Sequence, residues 1–339
     1  MTLPPLALTA DFDLTGHNTL ALKARSRFGC VLERAEQVPH LFALAAADGL
    51  PVRILGGGSN VVLSETFDGI TAVIGLRGLN IVTAGADSVL IEAAAGELWD
   101  NLVRWTVGQG YGGIENLVSI PGTVGAAPVQ NIGAYGAELA DVFENLVAFD
   151  RERGAEVTLD RADCAFGYRD SLFKRQPGRY VITLVRLRLN TAWAANLGFA
   201  GLADLAGEAT LSPAMVMERV AAIRASKLPD WRVEPNAGSF FQNPIVPADL
   251  AEAIVAAHPG APNFVQPDGR RKLSAGWLIE NAGLKGFELG PVGTSARHAL
   301  VVVNRGGGSA EDIRTLAGHI RTTVFDKFGV TLAEEPIFF

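Results

Sequence analysis

Three groups of residues could do chemistry. Gly56-Gly57-Gly58-Ser59-Asn60 follows directly on the apolar run Pro51 to Leu55. Three successive glycines let backbone N–H groups converge on one point with no Cβ in the way, which suits a diphosphate. A plain strand-to-strand turn would use a bare triple glycine equally well. The second group runs from Ser119 to Pro128 and on through Val129 to Gly136. It is dense in glycine and alanine, carries no charge, and has hydroxyls and amides interspersed. An uncharged loop of that length is unusual as a solvated connection. It reads as backbone wrapped around a large ligand with apolar and polar parts; the alternative is a buried packing segment of small residues. The third group is two polar clusters. Phe166-Gly167-Tyr168-Arg169-Asp170-Ser171 sets aromatic, cationic and hydroxyl groups side by side, and Asn236 to Pro244 surrounds Ser239 with glycine, aromatics and two asparagines. Taken alone, each cluster reads more readily as a loop than as a site.

Other chemistries lack their signatures. Gly108-Gln109-Gly110-Tyr111-Gly112-Gly113 satisfies GxGxxG, but a helical pattern precedes it where the dinucleotide fingerprint needs a strand. No GxxxxGK[ST] occurs, so a P-loop is excluded. Ser239 has no neighbouring histidine and GxSxG is absent, so an acyl-transfer nucleophile is not indicated. His17, His40, His258, His298 and His319 are scattered, and Cys30 and Cys164 form no CxxC pair, so no metal site is expected. The two cysteines allow at most one disulfide.

These groups must be positioned by a chain of 339 residues, room for two domains or three lobes. Lysine plus arginine is 29 against 36 aspartate plus glutamate, a net charge of −7, which argues against a nucleic-acid partner. Hydrophobic residues at 48% and charged ones at 19% exclude global disorder. The 38 glycines follow no collagen-like period, so they imply many tight turns or backbone-lined sites. Met1-Thr2-Leu3-Pro4-Pro5 has no basic or apolar signal-like character, and no run of apolar residues is long enough to cross a membrane. The expected location is the cytoplasm.

The chain reads as alternating short strands and helices. Helical patterns cover Val38 to Asp48, stopped by Gly49, and Glu97 to Val107, with Gly108 as its C-cap. Pro51 to Leu55, Val61 to Leu63, Ile70 to Ile74, Val89 to Ala93, Ala140 to Asp150 and Tyr180 to Asn190 read as strands. Leu184 to Leu189 alternates with Arg186 and Arg188, so one face is wet. Thr191 to Thr210 is alanine- and glycine-rich. Ser212-Pro213 then opens a helix that Pro229 ends. Ser309 with Asp312 forms a capping-box pattern ahead of the stripe Ile313, Leu316, Ala317, Ile320, Val324, Phe328, up to Gly329. A last strand is expected at Val330 to Leu332. The domain boundary is expected between Asn190 and Ser212.

The strand-GGGSN loop, SIPGTVGAAPVQNIGAYG, GYRDSLFK, SKLPD, NAGSFFQNP, LSAGWLIENAGLKG and a terminal glutamate occur in that order. Together they resemble the UDP-N-acetylenolpyruvoylglucosamine reductase family, flavoenzymes that complete UDP-N-acetylmuramate in bacterial cell-wall synthesis. The similarity runs from about Asn18 to Phe338, and GYRDSLFK with the insertion around Phe199 resembles the longer, first type.

The resemblance implies an α+β fold of the vanillyl-alcohol-oxidase (PCMH) type. Residues 1–190 would form an FAD-binding domain of two lobes split near residue 77, 191–211 a connecting insertion, and 212–339 a substrate domain whose last strand returns to the active site. Gly56, Gly57, Gly58, Ser59 and Asn60 would line the FAD. So would Ser119, Ile120, Pro121, Gly122, Gly125 and Ala126, and further on Gln130, Asn131, Gly133 and Ala134. No histidine lies in either loop, so the FAD is expected to be dissociable. NADPH would supply hydride, and the chain would act as a monomer. By the same match, Arg169 would hold the enolpyruvyl carboxylate as charge builds there. Ser239 would deliver the proton. Glu335 would lie at the same locus, protonated or sharing a proton, because a charged carboxylate would oppose the intermediate. Tyr135, Tyr168, Arg224, Lys227 and Asn243 match positions that grip sugar or diphosphate, Lys227 as a point charge. Three departures stand out. The C-terminal motif is Glu334-Glu335-Pro336, with Glu335 the match by spacing and Glu334 the alternative. Phe199 stands where a tyrosine is expected over the uridine. His298 falls where an amide is usual, to bind diphosphate or simply to pack.

Overall fold

The structure, a computed structural model, describes residues 6–339, without the side chain of Ala200; Met1–Pro5 lie outside it. Contacts divide the chain into two units. One comprises residues 6–13, Arg25–Gly58 and Thr66–Ser226, the other Leu14–Ala24, Ser59–Glu65 and Lys227–Phe339. The boundary expected between Asn190 and Ser212 therefore moves to Ser226/Lys227. The reason is packing: helix Pro213–Lys227 buries Val216 and Val220 in the core of the first unit.

Two larger sheets shape the first unit. In one, the strands lie in the order Thr9–Asp13, Arg25–Leu32, Thr66–Ile74, Val52–Leu55. Thr66–Ile74 runs parallel to both its neighbours, and its end, Ile70–Ile74, is an unbroken buried run, as a strand covered on both faces should be. Helix Gln37–Ala47 adds Val38, Leu41 and Ala45 to this core. The other sheet is antiparallel throughout, in the order Ala155–Asp160, Phe143–Asp150, Tyr180–Asn190, Ser88–Ala94, Leu79–Ala84. The expected alternation holds. Val185, Leu187 and Leu189 are buried, while Arg186 and Arg188 face outward to Glu92 and Glu144. Helix Trp99–Gly108 buries Trp99, Leu102 and Val103. Gly108 is its last helical residue, not its cap; the left-handed position falls on Gly110, at φ +86°.

The second unit is built on helix Ala310–Phe328, whose start carries the full Ser309–Asp312 capping box and whose end is Gly329 at φ +66°. Its six-residue stripe is buried as the periodicity requires. A four-stranded antiparallel sheet runs in the order Asn236–Ser239, Val301–Asn304, Val292–Thr294, Glu288–Leu289. Val330 to Leu332 is not a strand. Val330 and Leu332 are buried there without a ladder partner, and the terminal strand is Ile337–Phe338, parallel to Val61–Val62. The excursion Leu14–Ala24 belongs to this unit because Leu20 and Leu22 enter its core and the Asn304 amide donates to the Leu20 carbonyl at 2.8 Å. Among the described residues no helix is long and apolar enough to cross a membrane.

Candidate active site

Strand Val52–Leu55 delivers the triple glycine against the second loop. A Cβ on Gly56 would lie 2.6 Å from the Thr123 hydroxyl, and one on Gly57 would lie 2.9 Å from the Gly122 Cα. Side chains are excluded here by loop-on-loop contact. Thr123 Oγ1 is buried at this contact without a hydrogen-bond partner. Uncharged backbone at close approach and an unsatisfied buried hydroxyl fit the polar middle of an FAD. Gly125 is equally confined, its Cβ position 2.5 Å from that of Ala95.

The second loop is tied to the start of helix Trp99–Gly108. The Trp99 N–H donates to the Gly122 carbonyl at 3.0 Å and its indole to the Leu117 carbonyl at 2.9 Å. The Ser119 N–H donates to Asp100 at 2.7 Å, and Asp100 also accepts from Arg104 at 2.8 Å. Ser119 needs this support, since it holds φ +60°. Seven non-glycine residues of the described chain have positive φ, and four of them are Ser119, Asn131, Tyr135 and Arg169. Left-handed backbone costs a side-chain-bearing residue on the order of 1 kcal/mol and concentrates where function over-determines it.

Arg169 occupies the tip of a turn closed by reciprocal backbone bonds between Gly167 and Asp170, at 2.9 and 3.3 Å. Its guanidinium donates to the Gly133 carbonyl at 2.6 Å and lies 5.2 Å from the centre of the Tyr168 ring. The neighbouring Asp170 pairs with Arg175. Tyr135 meets Phe199 edge to face at 4.7 Å. Asn116 donates to the carbonyls of both Tyr135 and Asn196, at 2.8 and 2.9 Å, so the insertion is fastened beside Tyr135. Burial raises the Tyr135 phenol pKa against the pull of Arg224. Burial also lowers that of Arg224, opposed by Tyr135 and Asp100. The Arg224 Nε is a buried donor with no partner, the condition an anionic ligand would relieve.

In the second unit, exposed Ser239 ends its strand, and the Glu335 N–H donates to the next carbonyl, that of Phe240, at 2.9 Å. The Asn60 amide donates to the Glu335 carbonyl at 3.2 Å. Asn60 thus meets the segment of a catalytic candidate. Glu335 is buried, whereas Glu334 bridges to Phe241 and pairs with Arg321 at 3.2 Å. Adjacent residues of an extended segment point oppositely, which favours Glu335 over Glu334. The Asn243 side-chain Oδ1 accepts from the Ala275 N–H at 2.9 Å and so fixes the start of helix Ala275–Asn281. His298 accepts from the Leu300 N–H through Nδ1 at 3.3 Å. Burial holds its pKa below the ordinary value, with Lys285 and Lys227 adding to the shift and Glu280 opposing.

Cys30 and Cys164 are free and buried, their thiols pushed up to about 11 and about 12 by burial, so neither is reactive. No metal-binding cluster occurs among the described residues. Asp100, Asn116 and Trp99 escaped the sequence reading; the one available signal was an acid at the first turn of a helix just ahead of the uncharged loop.

Residues 229–339 match the model of the UDP-N-acetylenolpyruvoylglucosamine reductase C-terminal domain, and residues 30–160 match an FAD binding domain. The UDP-N-acetylenolpyruvoylglucosamine reductase of Azoarcus sp. (strain BH72) is 48% identical over 342 residues, covering 99% of either chain. That of Pseudomonas aeruginosa is 46% identical over 334 residues, covering 98% of each. The crystal structure of the Thermus caldophilus UDP-N-acetylenolpyruvylglucosamine reductase superposes with a TM-score of 0.67 at 25% identity, over 98% of both chains.

Proposed function

This chain belongs to the UDP-N-acetylenolpyruvoylglucosamine reductase family and is an FAD-dependent oxidoreductase, and on that premise we propose that it reduces the enolpyruvyl ether of UDP-N-acetylglucosamine to UDP-N-acetylmuramate with NADPH. FAD, when bound, supplies the relay that takes hydride from NADPH and delivers it to the terminal carbon of the enolpyruvyl double bond. The observation that carries the reading is the Arg169 turn, strained backbone presenting a guanidinium fixed at 2.6 Å on a loop carbonyl.

As hydride reaches the terminal carbon, an electron pair moves toward the carbon beside the carboxylate. The Arg169 fork holds that carboxylate and stabilises the charge spreading onto it. Ser239 gives its hydroxyl proton to the carbon. A serine is a weak acid, but a carbanion is base enough to take its proton. Glu335, protonated or sharing a proton, then adds no charge that would oppose the intermediate. Tyr135, Tyr168, Arg224, Lys227, Asn243 and His298 receive sugar and diphosphate; the buried, unpartnered Nε of Arg224 supports this for that residue. Gly56 to Asn60, Ser119 to Gly122, Gly125, Ala126, Gln130, Gly133 and Ala134 would cradle the cofactor, which is held without a covalent bond. The chain works as a cytoplasmic monomer.

A visible spectrum of the purified protein, then NADPH consumption with and without the enolpyruvyl sugar, tests the reaction. Oxidation of NADPH that does not depend on the sugar would sink it. Yellow colour retained in an acid-precipitated pellet would overturn the non-covalent attachment.

A further inference from the structure

The resemblance gives Asn131 to the cofactor, yet its side chain is spent elsewhere. Asn131 is buried at φ +45°. Its amide nitrogen donates to Glu138 Oε2 at 2.8 Å and to the Gly167 carbonyl at 3.1 Å, and its amide oxygen accepts from the Ala140 N–H at 3.0 Å. An asparagine has two N–H donors, and both are used within the chain. The carboxylate on one side and the N–H on the other fix which end of the amide is nitrogen.

The Gly167 carbonyl closes the turn whose tip is Arg169. The same loop grips that turn at two further points. The Gly133 carbonyl accepts from the Arg169 guanidinium at 2.6 Å, and the Val129 carbonyl accepts from the buried Ser171 hydroxyl at 2.5 Å. Start, tip and end of the turn are therefore all fastened to Val129–Gly133. In two of the three ties the loop contributes a backbone carbonyl; in the one at the start it contributes a side chain, that of Asn131, and Glu138 orients it. Strained backbone persists only where its surroundings over-determine it, and Arg169 is held at φ +52°.

We infer that Asn131, oriented by Glu138, is a positioning residue that sets the Arg169 turn and hence the aim of its guanidinium. This rests on the assignment of Arg169 to the substrate carboxylate. Loss of Asn131 should then damage the step that involves the sugar and spare both FAD binding and flavin bleaching by NADPH.

Asn131→Asp keeps shape and left-handed tolerance but turns the donors into acceptors facing Glu138 and the Gly167 carbonyl. Asn131→Gly keeps the backbone conformation and removes the side chain, which guards against misfolding of the first variant. In stopped flow, reoxidation of the NADPH-bleached holoenzyme by the enolpyruvyl sugar should slow roughly ten- to a hundred-fold, the cost of a misplacement near 1 Å. The bleaching rate should be unchanged, as should the affinity of the apoprotein for FAD, read by quenching of FAD fluorescence. Adding Glu138→Gln to Asn131→Asp should recover part of the loss, because glutamine can donate to the new carboxylate. Combining Asn131→Asp with Arg169→Lys should cost less than the product of the two, as for groups acting in one network.

Weakened FAD binding, or equal slowing of both half-reactions, would make Asn131 a cofactor or general structural residue and overturn the inference. Full-rate reoxidation in both single variants would do the same while Arg169→Lys is slow. If Arg169→Lys itself reoxidises at full rate, the assignment of Arg169 fails and the positioning role falls with it.

Discussion

Arg169 sits at φ +52° in a turn fastened at three points, whereas Ser239 ends an irregular strand next to Gly238 at φ +70°, and the Glu335 backbone is held by Phe240 and Asn60. The difference matches what each group is asked to do. A planar fork must meet a carboxylate in a set orientation, and small rotations waste it. A hydroxyl proton donor rotates freely about its C–O bond and needs only to be within reach. The molecule thus puts a side-chain-bearing residue under strain at the proposed carboxylate holder, and gives the left-handed position beside the proposed proton donor to a glycine.

Chemical deletion should therefore be severe in the second region and geometric change severe in the first. The largest expected effect is Ser239→Ala. General acid catalysis is typically worth about 10²–10⁴-fold, and flavin reoxidation by the enolpyruvyl sugar should fall at least that far. Bleaching by NADPH should stay near normal, and Ser239→Cys should keep more activity than the alanine variant. Full-rate reoxidation in Ser239→Ala would assign the proton to another residue or to water.

Arg169→Lys comes next, with charge kept and the fork lost. Removing one donor from a developing oxyanion costs about 10²–10³-fold, and the sugar half-reaction should drop within that range. An equal loss in both half-reactions, separated by stopped flow, would detach Arg169 from the enolpyruvyl carboxylate.

A third change tests the comparison from outside the catalytic groups. Asp100→Ala removes the acceptor for the strained Ser119 N–H. A hydrogen bond to a charged group contributes about 1.5–3 kcal/mol, so FAD affinity should weaken roughly ten-fold or more. Reoxidation at saturating FAD should be little changed; a rate loss without an affinity loss would mean that this contact shapes the Arg169 region instead.

The smallest effect is a pH dependence in the second unit. Burial lowers the His298 pKa in the fold, so the unfolded chain takes up that proton first. This contribution to stability is complete above about pH 6.5 and is lost as pH falls through the lower folded value. His298→Gln should flatten that part of a plot of Tm against pH; an unaltered slope would place the sensitivity elsewhere.

Local patterns were legible where neighbours along the chain decide the outcome. The wet face of Tyr180–Asn190 follows from alternation alone, as does the buried stripe of Ala310–Phe328. The glycine loops announced themselves through composition. What could not be read was set by partners far along the chain. Nothing in Val61–Val62 says that it pairs with Ile337–Phe338, and nothing in Leu20 or Leu22 says that they enter the core of the second unit. Val330 and Leu332 look like strand residues because they are apolar, but burial does not require a ladder. Asn131 is a similar case: nothing in its place within an uncharged loop says that its amide meets Glu138, Gly167 and Ala140.

The parallel pairing of Val61–Val62 with Ile337–Phe338 also has a consequence for biosynthesis. Ribosomes make chains from the N-terminus, and the tie between Asn60 and Glu335 spans 275 positions. Strands Val52–Leu55 and Thr66–Ile74 can dock during translation, since both they and their sheet partners are already made. The segment between them must wait with an unsatisfied strand edge until the far partner, some 275 positions on, has been made. An edge held open that long is a place for a nascent chain to stick to its neighbours or to recruit a chaperone. Glu335 reaches its position only when that wait ends, so the proposed catalytic machinery cannot form before it.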